Sequence, residues 1–312
     1  MRYSVHVISR LTCVIFAILP GFAATTKPTL PPPPPGVRIV QDVTYLQPTR
    51  HEKLDLYLPA TQTAPSPAVA IIHGGGWIAG DKASSREFNI GTTLATHGYV
   101  AASINYKLGK QLFPQNLFDC KNAVRFLRAG AKEYQIDPGK IAVIGGSAGG
   151  HLALMVAYTA GEPALEPSDG LYPNIASDVR CVIDMYGVTD LFTIRKNDEQ
   201  GKPAGPSKLP FNVVTGTATD SRQLWEQASP VFHITPKTPP TLILQGDADT
   251  TVNFEQSTEL AEKLKAADVP HELIMLQHIG HTFDLEKWNR KKLPRDLRPI
   301  LLEFLEKHLK DR

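Results

Sequence analysis

The sequence predicts one α/β domain, a mostly parallel eight-stranded sheet flanked by helices, with a small inserted cap segment. Three observations carry this. Short apolar runs alternate with longer helix-periodic runs from Val37 to the C-terminus. Most of these short runs are apolar throughout rather than alternating, as strands covered on both faces must be. Glycine-rich stretches follow directly on such runs, at the carboxyl ends of strands where sheets of this kind build their sites. The 42% hydrophobic and 21% charged residues, in a chain of 312, are those of an ordinary globular domain rather than a disordered or fibrous one.

Taken in order, residues 1–23 read as an export signal. Arg2 and Arg10 are its basic start, Leu11–Leu19 its apolar stretch, Pro20-Gly21 its break, and Gly21 and Ala23 the small residues before a cleavage site. The apolar stretch falls short of the ~20 residues that cross a bilayer, so a cleaved leader and a secreted or periplasmic product are expected, with no stable membrane insertion. Residues 24–36 follow as a linker. Pro28 and the run Pro31–Pro35 hold an extended, stiff backbone, which suits a spacer; recognition by a proline-binding module is the alternative. Removal of Arg2 and Arg10 with the leader leaves 31 basic against 31 acidic side chains. That balance, without clustered Lys/Arg and interleaved aromatics, excludes nucleic acid as a partner. The single basic run, Lys287–Lys292, reads as a solvated helix end. Cys120 and Cys181 make neither a disulfide framework nor a zinc pattern; two buried thiols are expected, with one bridge permitted in an oxidising compartment as the alternative.

Residues 37–312 form the domain. Val37–Tyr45 and Leu54–Leu58 predict a starting pair of strands. Ala68–Ile72, Val100–Ile104, Ile141–Ile144, Val179–Met185, Thr241–Leu244 and Glu272–Leu276 predict six buried ones. Helical periodicity marks Asn116–Tyr134, Ala148–Tyr158, Phe254–Ala267 and Pro294–Leu309. Residues 191–230 break the rhythm with repeated Gly and Pro and are the candidate lid or substrate-binding insertion.

Gly145-Gly146-Ser147-Ala148-Gly149-Gly150 lies between a predicted strand and an apolar helix. G-x-S-x-G in that setting is a tight turn that pushes a serine Oγ out above the sheet, with a helix N-terminus behind it. Glycine-rich turns also cradle phosphates, but this spacing fits neither G-x-G-x-x-G nor G-x-x-x-x-G-K-[ST]. His73-Gly74-Gly75-Gly76-Trp77 follows an earlier strand and can turn main-chain N–H groups toward a carbonyl oxygen, beside the N–H of Ala148. His73 itself reads as structural. Trp77 stands beside this loop, either as a flat wall for substrate or as a plain hydrophobic contact.

A serine of this kind needs an acid and then a histidine later in the chain. Asp247 and Asp249 follow one strand, and His278 and His281 follow the next. We take Asp249 as the acid, leaving Asp247 to shape the turn, and His281 rather than His278 as the base. His151, on the helix after the serine, reads as a packing or hydrogen-bonding residue.

These motifs, together with Ser103-Ile-Asn-Tyr106, Asp119–Arg128 and Tyr186-Gly-Val-Thr-Asp190, occur in one order. In that order the chain resembles the α/β-hydrolase serine esterases, in the bacterial feruloyl and acetyl-xylan esterase branch. That branch is related to the hormone-sensitive-lipase group, which usually carries Asp where this chain has Gly146. The resemblance implies catalytic Ser147, Asp249 and His281, and oxyanion donors on Gly75, Gly76 and Ala148. It implies an ester substrate, either a small molecule or one linked to polysaccharide. All reacting groups come from the chain, so no metal or organic cofactor is expected. An amidase, arylformamidase or exopeptidase with the same triad is the alternative, and a binding protein on a hydrolase scaffold is a further one.

Overall fold

The computed structural model describes residues 30–110, 112–168, 170–194 and 222–309. Eight strands form one sheet: β1 Val37–Val43, β2 Leu54–Pro59, β3 Ser66–Ile72, β4 Val100–Ile104, β5 Ile136–Gly146, β6 Cys181–Met185, β7 Thr241–Gly246 and β8 His271–Leu276. Their spatial order is β1-β2-β4-β3-β5-β6-β7-β8. The first pair and the β2–β4 contact are antiparallel, and every other neighbour is parallel. This is the α/β-hydrolase architecture that the sequence predicts.

Successive residues of a strand face opposite layers, and β3 shows it plainly. Ala68, Ala70 and Ile72 join one core cluster; Val69 and Ile71 join the other. Helices α2 (Gln115–Ala129), α4 (Ala148–Tyr158) and α6 (Glu255–Ala266) close the first face, and α1 (Ser85–Thr96) and α7 (Arg298–Leu309) the second. Cys120 lies in the first cluster and Cys181 in the second, so the sheet separates two free, buried thiols.

The fold departs from the sequence reading chiefly in one helix, one helix break, one hairpin and the linker. Helix α1 was not expected, because Gly91 and three threonines make it a poor helix former. Packing overrides propensity here: a Cβ at Gly91 would sit 2.7 Å from the Tyr57 ring, so only glycine lets the helix lie on β2. The predicted helix Asn116–Tyr134 is two helices, broken at Gly130, with short α3 (Ala131–Tyr134) ended by left-handed Gln135. Lys287–Lys292 is not a helix end. It is a hairpin, β9 (Lys287–Trp288) and β10 (Lys291–Lys292), whose central residues Asn289 and Arg290 both have positive φ, as a two-residue type I′ turn requires. The end of the expected linker lies on the domain: Leu30 is half-buried against the second core cluster, and Gly36 O accepts from Ala60 N at 2.8 Å.

Residues 1–29 hold the expected leader and most of the linker, and they lie outside the described residues. Of the 191–230 insertion only the flanks are described. One is Leu191–Ile194, and the other includes α5 (Arg222–Gln227).

Candidate active site

Parallel register brings the carboxyl ends of the central strands to one edge. Ile72 of β3 pairs with Gly145 of β5, Gly145 with Asp184 of β6, and Gly246 of β7 with Leu276 of β8. The loops that leave these ends carry Gly74–Gly76, Ser147, Asp249 and His281, which is why residues far apart in sequence can meet.

Ser147 sits between β5 and α4 at φ 58, ψ −123, a strained conformation that costs a non-glycine residue about 1–3 kcal/mol. Its backbone is held by a bond from Ser147 N to Met185 O at 2.9 Å and by one from His151 N to Ser147 O at 3.0 Å. The turn is tight enough to demand glycine. A Cβ at Gly149 would lie 2.1 Å from Ile72 O, and one at Gly145 would lie 2.1 Å from Gly149 O.

Ser147 Oγ donates to His281 Nε2 at 2.9 Å, and His281 Nδ1 donates to Asp249 Oδ2 at 2.6 Å. A carboxylate can only accept, so it fixes the proton on Nδ1 and leaves the Nε2 lone pair facing the serine. Asp249 is buried, and its other oxygen accepts from Thr251 N at 2.8 Å and Val252 N at 3.0 Å. Asp247 plays the turn role expected of it, accepting from His278 N at 2.6 Å. His278 therefore contributes its backbone to that turn.

The loop after β3 lies against the elbow: a Cβ at Gly74 would be 3.3 Å from Ser147 Cβ. Gly75 and Gly76 have φ of 110° and 59°, and a Cβ at Gly75 would run into Ala79 O. Among the described residues their N–H groups have no main-chain acceptor. Ala148 N, at the first helical position of α4, has none within its helix. These three N–H groups are thus free to face a developing negative charge. The Ser103–Tyr106 motif braces this loop. Ser103 Oγ donates to Lys82 O, Asn105 Oδ1 accepts from Lys82 N, and Tyr106 Oη donates to His73 O at 3.0 Å.

His73 is buried, stacks on Tyr106 and donates from Nδ1 to Gly74 O at 2.7 Å, with burial lowering its pKa. It is structural, as expected. Trp77 does not reach the substrate side. It is 3% exposed, packs in the first core cluster, and donates from Nε1 to His151 Nδ1 at 3.2 Å. The hydrophobic-contact reading holds for it, and the substrate-wall expectation is corrected: the left-handed turn at Trp77 (φ 63) aims the indole inward. His151 completes this pair by donating from Nε2 to Ala228 O at 2.7 Å, and burial lowers its pKa to about 4.

The catalytic edge opens into a cleft of about 500 Å³ walled by the glycine loop, Ser147, His281, Thr251 and two residues the sequence reading missed, Arg86 and Glu87. No local pattern marks them, because none marks helix α1. A Cβ at Gly146 would stand 2.5 Å from Arg86 Nη1, so the guanidinium fills the space a larger residue there would need. Trp288 was hidden in a run read as solvated; its Nε1 donates to His281 O at 2.9 Å.

A carbohydrate esterase from gut microbiota, solved in truncated form, superposes with a TM-score of 0.71 at 26% identity, covering 89% of this chain and 99% of that one. Thermogutta terrifontis esterase 2, solved phosphorylated by paraoxon, gives 0.70 at 26% identity over 92% of this chain and 100% of that one. The probable carboxylic ester hydrolase LipM of Mycobacterium tuberculosis is 32% identical over 253 residues, 78% of this chain and 56% of LipM. The chain spans about half the length of the curated relatives it matches. Residues 54–264, which run from β2 through the elbow and the Asp249 loop into α6, match the BD-FAE family, and the chain belongs to that family.

Proposed function

We propose that the protein is a secreted or periplasmic serine carboxylic ester hydrolase that works by two-step acyl transfer. The observation that carries this is the unbroken Asp249–His281–Ser147 relay, with bonds of 2.6 and 2.9 Å, at the floor of an open cleft beside an N–H-lined glycine loop. Ser147 Oγ attacks the ester carbonyl as His281 Nε2 takes its proton, and the N–H groups of Gly75, Gly76 and Ala148 hold the oxyanion. His281 returns the proton to the leaving alcohol. Water then enters, His281 activates it, and the acyl-enzyme hydrolyses to release the acid.

Short acyl groups on small alcohols or on plant polysaccharide, acetyl or feruloyl, are the proposed substrates. Among the described residues the cleft is open to solvent, which suits an ester whose alcohol portion extends outward, and the likeness to a carbohydrate esterase supports the same class. Export rests on the leader expected over residues 1–23. The test is a fluorophosphonate probe followed by peptide mass analysis. One adduct per chain, on the peptide that holds Ser147 and absent from Ser147→Ala, is expected. A folded protein left unlabelled contradicts the proposal.

A further inference from the structure

The loop that carries His281 is held from outside at two carbonyls. Trp288 Nε1 donates to His281 O at 2.9 Å, and Tyr186 Oη donates to Phe283 O at 2.6 Å. Thr282 between them has φ 65, a left-handed conformation that a β-branched residue adopts only when its surroundings impose it. Tyr186 also touches the base itself: its ring stands edge-on to the His281 imidazole with centroids 4.8 Å apart, and edge-on to Phe283 at 4.5 Å.

The Tyr186 hydroxyl is fully buried and accepts from Arg86 Nη1 at 2.6 Å. Arg86 is fixed in turn by its Nε bond to Glu87 Oε1 at 2.8 Å, and Glu87, in the first turn of α1, is buried. A guanidinium can only donate, so the tyrosine oxygen must accept from Arg86 and give its one proton to Phe283 O. Burial pushes the Tyr186 pKa up to about 12, so that proton stays in place at neutral pH. The chain Glu87–Arg86–Tyr186–Phe283 O therefore has a single direction, and it ends two residues from His281.

We propose that Arg86 is a positioning residue for His281, acting through Tyr186: it sets the direction of the Tyr186 hydroxyl, which holds the His281 loop within reach of Ser147. This rests on the catalytic reading of Ser147, His281 and Asp249. The Tyr186-Gly-Val-Thr-Asp190 motif thereby gains a role, and so does the small residue at Gly146, which leaves room for the guanidinium.

The experiment is kcat and KM on p-nitrophenyl acetate for Tyr186→Phe, Arg86→Met, the double variant and Arg86→Lys, with thermal unfolding recorded for each. Tyr186→Phe keeps the ring and removes one oxygen. Each of the first two single variants should lower kcat by about 10- to 100-fold, the scale of a misplaced reacting group, with KM within about 2-fold. The double variant should be no slower than the worse single one, because both remove the same connection. Arg86→Lys, which keeps one donor, should recover part of the loss. Unchanged kcat in Tyr186→Phe, a change in KM alone, or losses that multiply in the double variant would overturn the proposal. If Arg86→Met fails to fold, Tyr186→Phe decides by itself. Wild-type protein without Ser147-dependent turnover would overturn the esterase function, and this role with it; active wild type with unaffected variants overturns this role alone.

Discussion

Asp249→Asn isolates the orienting carboxylate while leaving the fold in place. One carboxylate oxygen is pinned by Thr251 N at 2.8 Å and Val252 N at 3.0 Å, and the other faces His281 Nδ1 at 2.6 Å. An asparagine must keep its oxygen toward the two N–H donors, which turns its NH2 toward Nδ1. The imidazole then accepts at Nδ1 and carries its proton on Nε2, facing Ser147, where it cannot remove the hydroxyl proton. The loss should approach that of a wrong-tautomer triad, about 10⁴ in kcat or about 5 kcal/mol of transition-state stabilisation, with KM little changed. The assay is steady-state hydrolysis of p-nitrophenyl acetate by both Asp249→Asn and Asp247→Asn, with unfolding in urea as the control. Asp247 caps the turn through His278 N, a bond that an asparagine oxygen also accepts, so Asp247→Asn should stay within about 3-fold of wild type. Asp249→Asn within tenfold of wild type, beside an inactive Asp247→Asn, would refute the assignment.

Other substitutions probe the frame. Trp77→Phe removes the donor to the buried His151 Nδ1 and should cost about 1–2 kcal/mol of stability without raising KM for aryl esters; a selective rise in that KM would put the indole in the substrate's path. Gly149→Ala drives a Cβ to 2.1 Å from Ile72 O and should cost more than about 3 kcal/mol, whereas Gly161→Ala, with φ +81 and open space, should cost about 1 kcal/mol; equal urea midpoints for the two would contradict the packing described. Stability should also vary with pH through two buried groups of opposite sign. His151 is held to about 4 by burial while the unfolded chain takes up a proton near 6.5, so stability falls as pH drops through that window, by up to about 3 kcal/mol. Asp184, pushed up to about 7 by burial, favours the fold while protonated and loses that advantage as pH rises from about 3.8 to 7. Asp184→Asn removes the opposing slope, so its urea midpoint should drop steeply between pH 6.5 and 4.5; a flat profile would count against the burial of His151.

The sheet was legible because strands covered on both faces are apolar throughout, and the elbow and glycine loop because backbone geometry there tolerates few side chains. Ala148–Tyr158 is found with the bounds the periodicity predicts. That Asp249 and His281 would meet Ser147 was legible through chain order and loop position, since each follows a strand of known direction. Helix α1 was not legible: its threonines and Gly91 lower helix propensity, and Gly91 answers to the Tyr57 ring across the layer, a contact no local window contains. With α1 went Arg86 and Glu87, whose place behind Ser147 depends on tertiary packing. The hairpin at Lys287–Lys292 was missed because its charges point outward and Trp288, its one anchoring residue, sits inside a basic run. Trp77 was placed correctly in its loop, but the sign of one φ angle decides whether its ring faces substrate or core.

The most direct test of the central claim is kcat/KM on p-nitrophenyl acetate for the protein starting near Ala24, with Ser147→Ala beside it. The account predicts a fall of about 10³ or more in the variant, because the Ser147 hydroxyl is the group that the His281–Asp249 relay meets. Equal, near-background rates for the two folded proteins would contradict it.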